Sequence, residues 1–443
     1  MEIVRRSIGI ALVAVLILAG CGIGGNDATP TTAPPATPQT IGTPRATATV
    51  AAGVATPSVT PPTGTMPSES ATTAPPATPQ TTGTPRATAT VSAVATPGVT
   101  PPAGTMPPGS ATTTPAGPPQ VTTVTDGVSM PNALAFTPDG RLLFNEVYEG
   151  RIRVVQDGQL LPEPFAQLDV AQPPGYTEHG LLGLAIDPDF AQNHYVYAFY
   201  TFPDRSGNPA GQRIVRFTDR DNVGTDLTVI VDDLPAGPDC CHNGGRIQFG
   251  PDGALYVTLG DTENADLSQQ VDAVAGRILR YRPDGTIPPD NPFPDNPTYA
   301  YGLRNPFGIR FHPLTGKLFA TENGPSGQDE LNIIEPGQNY GWPIVTGAVG
   351  DDRFTDPIWT SDGSHAPTGL EIPNSPVLPD LTGDVVFCEW NTGTLQRFRL
   401  AKPGYDRVES QETLPGTCRL DVTQGPDGAL YFSDEGAIYR YGP

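Results

Sequence analysis

The sequence predicts an all-β fold, a six-bladed β-propeller, on three observations. Beyond residue 120 the chain is a series of short apolar runs separated by Pro-Asp-Gly and similar turns, one strand-rich module recurs six times, and no long helical period competes with it. Six copies over about 320 residues leave roughly 50 to 55 residues each, the scale of a four-stranded blade with its loops. Closing six such sheets radially leaves only short edges exposed.

Each module reads as an apolar strand, a turn, a second strand and a third strand rich in arginine and aliphatic residues. The first runs from Ala133 to Phe144 around Pro138-Asp139-Gly140 and continues at Arg151–Val155. The second comprises Leu182–Phe190, Tyr195–Tyr200 and Arg213–Phe217, and the third Arg246–Val257 with Arg277–Tyr281. The fourth is Phe307–Phe319 with Leu331–Ile334, and a more diverged fifth is Thr368–Leu370, Asp384–Phe387 and Leu395–Leu400. Asp421–Phe432 with Ala437–Tyr441 forms the last.

Two other segments precede residue 121. Arg5-Arg6 lead into an apolar run from Ile8 to Ala19, too short to span a bilayer as a mature helix, so residues 1–21 read as a secretion signal. Its ending, Leu18-Ala19-Gly20-Cys21, resembles the bacterial lipoprotein signal, in which the cysteine is lipidated and becomes the new first residue. The expectation is an exported protein held at the extracytoplasmic face of the bacterial membrane through a lipid on Cys21 alone. Residues 22–120 are Thr, Pro, Ala and Gly with almost no large apolar side chains, and Thr31–Val50 recurs at Thr72–Val91 with one change, Ile41 against Thr82. Such a segment buries too little to offset its ordering entropy, and it reads as a disordered linker. The propeller is expected over 121–443.

The formal net charge is −22, and the first 119 residues carry four arginines against three acids, so the remainder holds −23. That balance, spread without long runs, argues against a nucleic-acid partner, whose phosphates need a basic face.

Polar clusters follow the blade strands: Glu178-His179-Gly180, Cys240 to Arg246, Gly260-Asp261, Arg304-Asn305-Pro306, Glu322 to Pro325, Asp329-Glu330 and Asn339 to Pro343. Singly, each reads equally well as a turn or strand-end residue. Their shared place in successive modules puts them on one face, over the central channel. His242 with Asp261 nearby is the pattern of a general base, because a carboxylate fixes the imidazole tautomer and steadies the imidazolium.

The segments Gly180–Phe190, His242-Asn-Gly-Gly-Arg246, Tyr301–Gly308, Gly324-Pro325, Asp329–Asn332 and Asn339-Tyr-Gly-Trp-Pro343 together resemble the soluble quinoprotein glucose/sorbosone dehydrogenases, also called aldose sugar dehydrogenases. The resemblance spans about 130–443. It implies oxidation of the C1 hydroxyl of aldose sugars, or of related sugar aldehydes, by hydride transfer to pyrroloquinoline quinone with calcium, and electrons passed to an acceptor the sequence does not identify. It implies catalytic roles for His242 as base, Asp261 as its orienting carboxylate and Arg304 as the cation stabilising the reduced quinone. Glu178, Arg304, Asn305, Trp359, Thr368 and Arg419 are implied as cofactor contacts. The carbonyls of Gly324 and Pro325 resemble ligands of the cofactor-bound calcium, and Glu330 and the Tyr340 carbonyl resemble ligands of a structural one.

The chain departs from the family pattern at three places. Cys418 and Leu420 stand where two arginines bind the quinone carboxylates, Asn391 replaces a lysine, and the loop between Trp359 and Ala366 is about two residues longer. The alternative left open is a non-catalytic propeller that binds carbohydrate or protein on the same face. Besides Cys21, the even set Cys240, Cys241, Cys388 and Cys418 in an exported chain points to disulfides. Cys240 and Cys241 either close a vicinal ring, leaving Cys388 with Cys418, or pair separately with those two.

Overall fold

The structure, a computed structural model, describes residues 117–443 apart from 174 and 176. The expected signal segment, Cys21 and the linker up to residue 116 lie outside the described residues.

Six antiparallel sheets make up the described chain. Blade 1 holds Leu134–Phe136, Leu142–Glu146 and Arg151–Gln156, with Gln159–Leu160 and Ala166–Gln167 both paired to the third strand. Its outer edge is split in two because Pro162 and Pro164, which lack N–H donors, lie between the pieces. Blade 2 is Leu181–Ile186, Tyr195–Pro203, Pro209–Arg220 and Val223–Leu234; blade 3 is Ile247–Phe249, Leu255–Leu259, Arg277–Tyr281 and Thr298–Tyr301. Blade 4 is Pro306–Phe311, Leu318–Glu322, Glu330–Ile334 and the short Trp359–Thr360. Blade 5 is Pro367–Glu371, Val385–Glu389, Thr394–Leu400 and Val408–Thr417. Blade 6 takes Val422–Gln424, Leu430–Ser433 and Ala437–Gly442 from the C-terminal end, and its outermost strand, Gln120–Asp126, from the opposite end of the described chain. Gln120 pairs with Gly442 and Asp126 with Ala437, so main-chain hydrogen bonds close the ring. The repeat pattern did not predict this strand.

The central strands are buried throughout and largely apolar because both of their faces are covered. In Leu255–Leu259, Leu255, Val257 and Leu259 pack toward blade 2 while Tyr256 packs toward blade 4. In Val385–Glu389, Val385 and Phe387 face blade 4 while Val386 and Cys388 face blade 6. Side chains alternate across a strand, so one run of residues serves two interfaces. Six such clusters, one between each adjacent pair of blades, form the core. Each fully buried Leu or Phe there contributes about 1.5–3 kcal/mol.

The first strands of successive blades touch around the axis, including that of blade 6 against blade 1. Since each first strand starts on one face and the second returns to it, the segments before every first strand and the turns between second and third strands all gather on that face. The predicted clusters occupy or border these two kinds of segment, except Asn339 to Pro343, which lies in the long connection between the third and fourth strands of blade 4.

Candidate active site

His242 lies in the connection leading into blade 3, and Asp261 follows the second strand of the same blade. Gly260 makes their approach possible: a Cβ there would lie 2.1 Å from the His242 carbonyl oxygen. His242 Nδ1 and Asp261 Oδ1 are 2.7 Å apart. The carboxylate can only accept, so Nδ1 carries a proton, and in the neutral imidazole Nε2 is the nitrogen with the lone pair. Asp261 is almost fully buried at 1 % exposure, whereas the His242 side chain retains 17 % and is reachable from the face. His242, Thr262 and Glu263 all have positive φ, at 58°, 53° and 64°, so left-handed backbone collects around this pair.

Glu178, in the connection leading into blade 2, accepts from the Asn305 side-chain amide (3.2 and 3.3 Å) and from the Asn243 N–H (3.3 Å). It therefore joins blades 2, 3 and 4. Neighbouring His179 is a structural residue. It is fully buried, its Nε2 donates to the Gly237 carbonyl at 2.9 Å, and burial lowers its pKa.

Arg304 and Asn305 lead into blade 4. Their backbone N–H groups both donate to Glu322 Oε1, at 3.1 and 2.5 Å. The Arg304 guanidinium donates to the carbonyls of Asn323 (2.8 Å) and Gly324 (3.3 Å), and among the described residues no carboxylate pairs with it. Asn305 Oδ1 is buried without a partner. A cation with no carboxylate paired to it fits an anionic or quinonoid ligand, whereas the unmatched amide oxygen calls for a hydrogen-bond donor.

Beside Arg304 lies a small, partly open cavity of about 10 Å³, lined by Glu322, Gly324, Pro325, Glu330, Tyr340 and Trp342 among others, with room for one ion or water. Glu322 Oε2 is buried there with no donor. Burial, with Glu330 close by, pushes the Glu322 carboxyl well above its ordinary range, and burial raises Glu330 as well. Two buried carboxyls, of which Glu322 feels the charge of Arg304 without pairing with it, among oxygen donors, suit a hard divalent cation such as calcium. Gly324 must be glycine: a Cβ would lie 1.9 Å from the Gln328 carbonyl oxygen, in a loop tied back by Asp329 Oδ1 (3.1 Å).

Three expected cofactor contacts do not join this group. Trp359 sits in the outer strand of blade 4 with its indole against Phe398 and Phe387, ring centroids 4.9 and 6.1 Å away, and is a packing residue of the blade 4–5 core. The Thr368 hydroxyl is buried and bonds to the carbonyls of Cys388 (3.2 Å) and Arg419 (3.0 Å). Arg419 donates to the Trp390 carbonyl and pairs with Glu435 at 3.3 Å, so its charge is already matched. At the two positions where the resemblance implies arginines, Cys418 is bonded to Cys388 and Leu420 is buried. A disulfide between blades 5 and 6 stands in place of a cation.

Cys240 and Cys241 are bonded to each other. Both of their N–H groups donate to Glu263 Oε1, at 3.0 and 2.9 Å, and the Cys240 carbonyl accepts from the Glu178 N–H at 2.6 Å. Sequence reading missed Glu263, and also Gln212, which holds Asn243 Oδ1 at 2.9 Å. A carboxylate two residues after Asp261 was the available signal for the first; nothing marked the second. A further His–carboxylate contact on the same face, His365 Nδ1 to Glu389 Oε1 at 3.0 Å, was likewise unmarked.

The comparisons agree with this geometry. The Glucose / Sorbosone dehydrogenase family pattern matches residues 128–440. Aldose sugar dehydrogenase YliI of Escherichia coli is 32% identical over 346 residues, 72% of this chain and 91% of the relative. A crystal structure from Thermus thermophilus, provisionally described as an oxidoreductase (glucose dehydrogenase), is 37% identical with a TM-score of 0.65, over 73% of this chain and 99% of its own. The PQQ-bound aldose sugar dehydrogenase of Streptomyces coelicolor is 29% identical with a TM-score of 0.63, over 74% and 99%. With the family pattern spanning all six blades, this chain is a member of the glucose/sorbosone dehydrogenase family.

Proposed function

We propose that the protein oxidises the C1 hydroxyl of an aldose sugar, with pyrroloquinoline quinone as hydride acceptor and calcium as the accompanying cation. The observation that carries this reading is the His242–Asp261 pair at 2.7 Å, with Nε2 left free on a face that also presents an unpaired Arg304. A relative of the same fold is PQQ-bound.

Bound quinone would supply the two-electron acceptor. His242 Nε2 takes the hydroxyl proton as the C1 hydrogen leaves with its electron pair, and C1 becomes a carbonyl carbon. Asp261 stabilises the imidazolium, and such a base contributes about 10²- to 10⁴-fold. Arg304 and Asn305 would hold the quinone oxygens, the arginine opposing the negative charge that grows there. Glu322, Glu330 and the carbonyls of Gly324, Pro325 and Tyr340 are the donors available to calcium. With a disulfide and a leucine in the usual arginine positions, Arg304 carries a larger share of the anion binding. At the other end of the chain, Cys21 would anchor the exported protein through its lipid, which mass spectrometry of the mature N-terminus tests.

Calorimetric titration of the calcium-loaded full chain with the quinone tests the reading. Saturable binding followed by dye-linked oxidation of aldoses is expected. Absence of binding would overturn it in favour of a propeller that only binds carbohydrate or protein.

A further inference from the structure

We propose that Trp342 is a positioning residue for His242, acting through Asp261, and that its indole couples the base to Arg304; this rests on the reading of His242 as the base. Trp342 Nε1 donates to Asp261 Oδ2 at 2.8 Å. The other oxygen, Oδ1, accepts from His242 Nδ1 (2.7 Å) and from the Glu263 N–H (2.9 Å). Donors on both oxygens prevent the carboxylate from rotating about its Cβ–Cγ bond. That fixes the direction in which it can accept from Nδ1, and hence the plane of the imidazole and the aim of Nε2.

The indole bond is additional to what folds the segment. The Trp342 backbone N–H donates to Gly302 (2.9 Å) and its carbonyl accepts from Gln269 (2.6 Å), so the chain is held there whatever the ring does. Without the indole, Asp261 Oδ2 would have no donor among the described residues, in a carboxylate 1 % exposed. A buried acceptor left unmatched would turn toward other donors or take up a proton, and either change loosens its hold on His242. The Arg304 guanidinium carbon lies 5.6 Å from the centre of the same indole, within cation–π range. One side chain thus touches both charged groups of the proposed chemistry, reaching Asp261 across 81 residues of sequence from blade 4 to blade 3.

The test is Trp342→Phe, which keeps a ring beside Arg304 and removes the N–H. In the full chain without cofactor, the low-field His242 Nδ1–H proton resonance, assigned by its loss in His242→Gln, is expected to shift upfield or vanish through exchange. In the reconstituted protein kcat is expected to fall about 10-fold or more with KM for the sugar within twofold. The same substitution placed on Asp261→Asn should cost no further kcat, because the path through the carboxylate is already broken. An unchanged resonance in folded Trp342→Phe, or a full additional loss on the Asp261→Asn background, would overturn the proposal. The resonance is read without sugar or quinone, so it decides the positioning role even if the proposed oxidation fails.

Discussion

Cys418, in the connection leading into blade 6, is bonded to Cys388 in the second strand of blade 5, and both are fully buried in the core between those blades. The bond closes a segment of 30 residues that includes the two outer strands of blade 5. Chain-entropy arguments give such a loop about 3–4 kcal/mol. Replacing both cysteines by serine is expected to lower stability by that amount in denaturant unfolding, with the Cys240–Cys241 bond still found by peptide mapping. A loss below about 1 kcal/mol would show that the bond adds little to packing.

Arg246 and Asp421 form the second cross-ring link. Arg246 Nη1 lies 3.4 Å from Asp421 Oδ2 and 2.6 Å from the Asn132 carbonyl, while Asp421 Oδ2 also accepts from the Leu134 N–H at 2.8 Å. These contacts join blades 3, 6 and 1, and Gly369 of blade 5 lies so close that a Cβ would come within 1.9 Å of Asp421 Oδ1. Burial lowers the Arg246 pKa and raises that of Asp421, each opposed by the charge of the other. Arg246→Met should destabilise by about 3–5 kcal/mol because it strands the carboxylate, and Arg246→Met with Asp421→Leu should recover much of the loss. Equal destabilisation by the single and double changes would contradict this.

The buried ring of His179 predicts a pH effect of definite sign. Burial depresses its pKa below the ordinary 6.5, so the folded state binds fewer protons than the unfolded one as pH falls below that value. Stability is then fully present above about pH 6.5 and is lost as pH falls toward the depressed folded value, by at most about 1.4 kcal/mol per pH unit. His179→Gln keeps a donor for the Gly237 carbonyl and does not titrate. Its Tm should fall less steeply than that of the wild type between pH 7 and 5, the remaining slope including His312, which burial also depresses. Parallel Tm–pH curves would rule out this origin.

Glu322 gives the calcium proposal its own check. Glu322→Gln keeps an acceptor for the N–H groups of Arg304 and Asn305 but removes a buried negative charge. The wild type should gain Tm on adding calcium to chelator-treated protein at pH 8, and the variant should gain much less. If the variant responds as strongly, Glu322 does not contribute to holding the cation.

The propeller was legible because strands covered on both faces are largely apolar, and such runs between Pro-Asp-Gly turns repeat visibly. Gln120–Asp126 was not, since it lies far in sequence from the blade it completes and carries only half of its side chains toward a core. His242, Glu178, Arg304 and Asn305 could be read from their motifs, each within a few residues of a first strand, and Asp261 from its place just after a second strand. Trp359 entered only through the family resemblance; its packing in the blade 4–5 core, fixed by a two-residue strand, could not be read from its own neighbours in sequence. The Trp342–Asp261 bond could not be read at all: its partners meet only when blades 3 and 4 pack. For the cysteines, adjacency and even number narrowed the pairing to alternatives that only blade neighbourhood separates.

The most direct measurement of the central claim is the rate at which an aldose reduces the bound quinone in His242→Ala, followed by stopped-flow absorbance against wild type. With the base gone, the hydroxyl proton has no acceptor as the hydride departs, and the rate should drop by about 10²- to 10⁴-fold while quinone and calcium remain bound. Reduction at the wild-type rate by the variant, or none by wild-type protein that holds the quinone, would contradict the account.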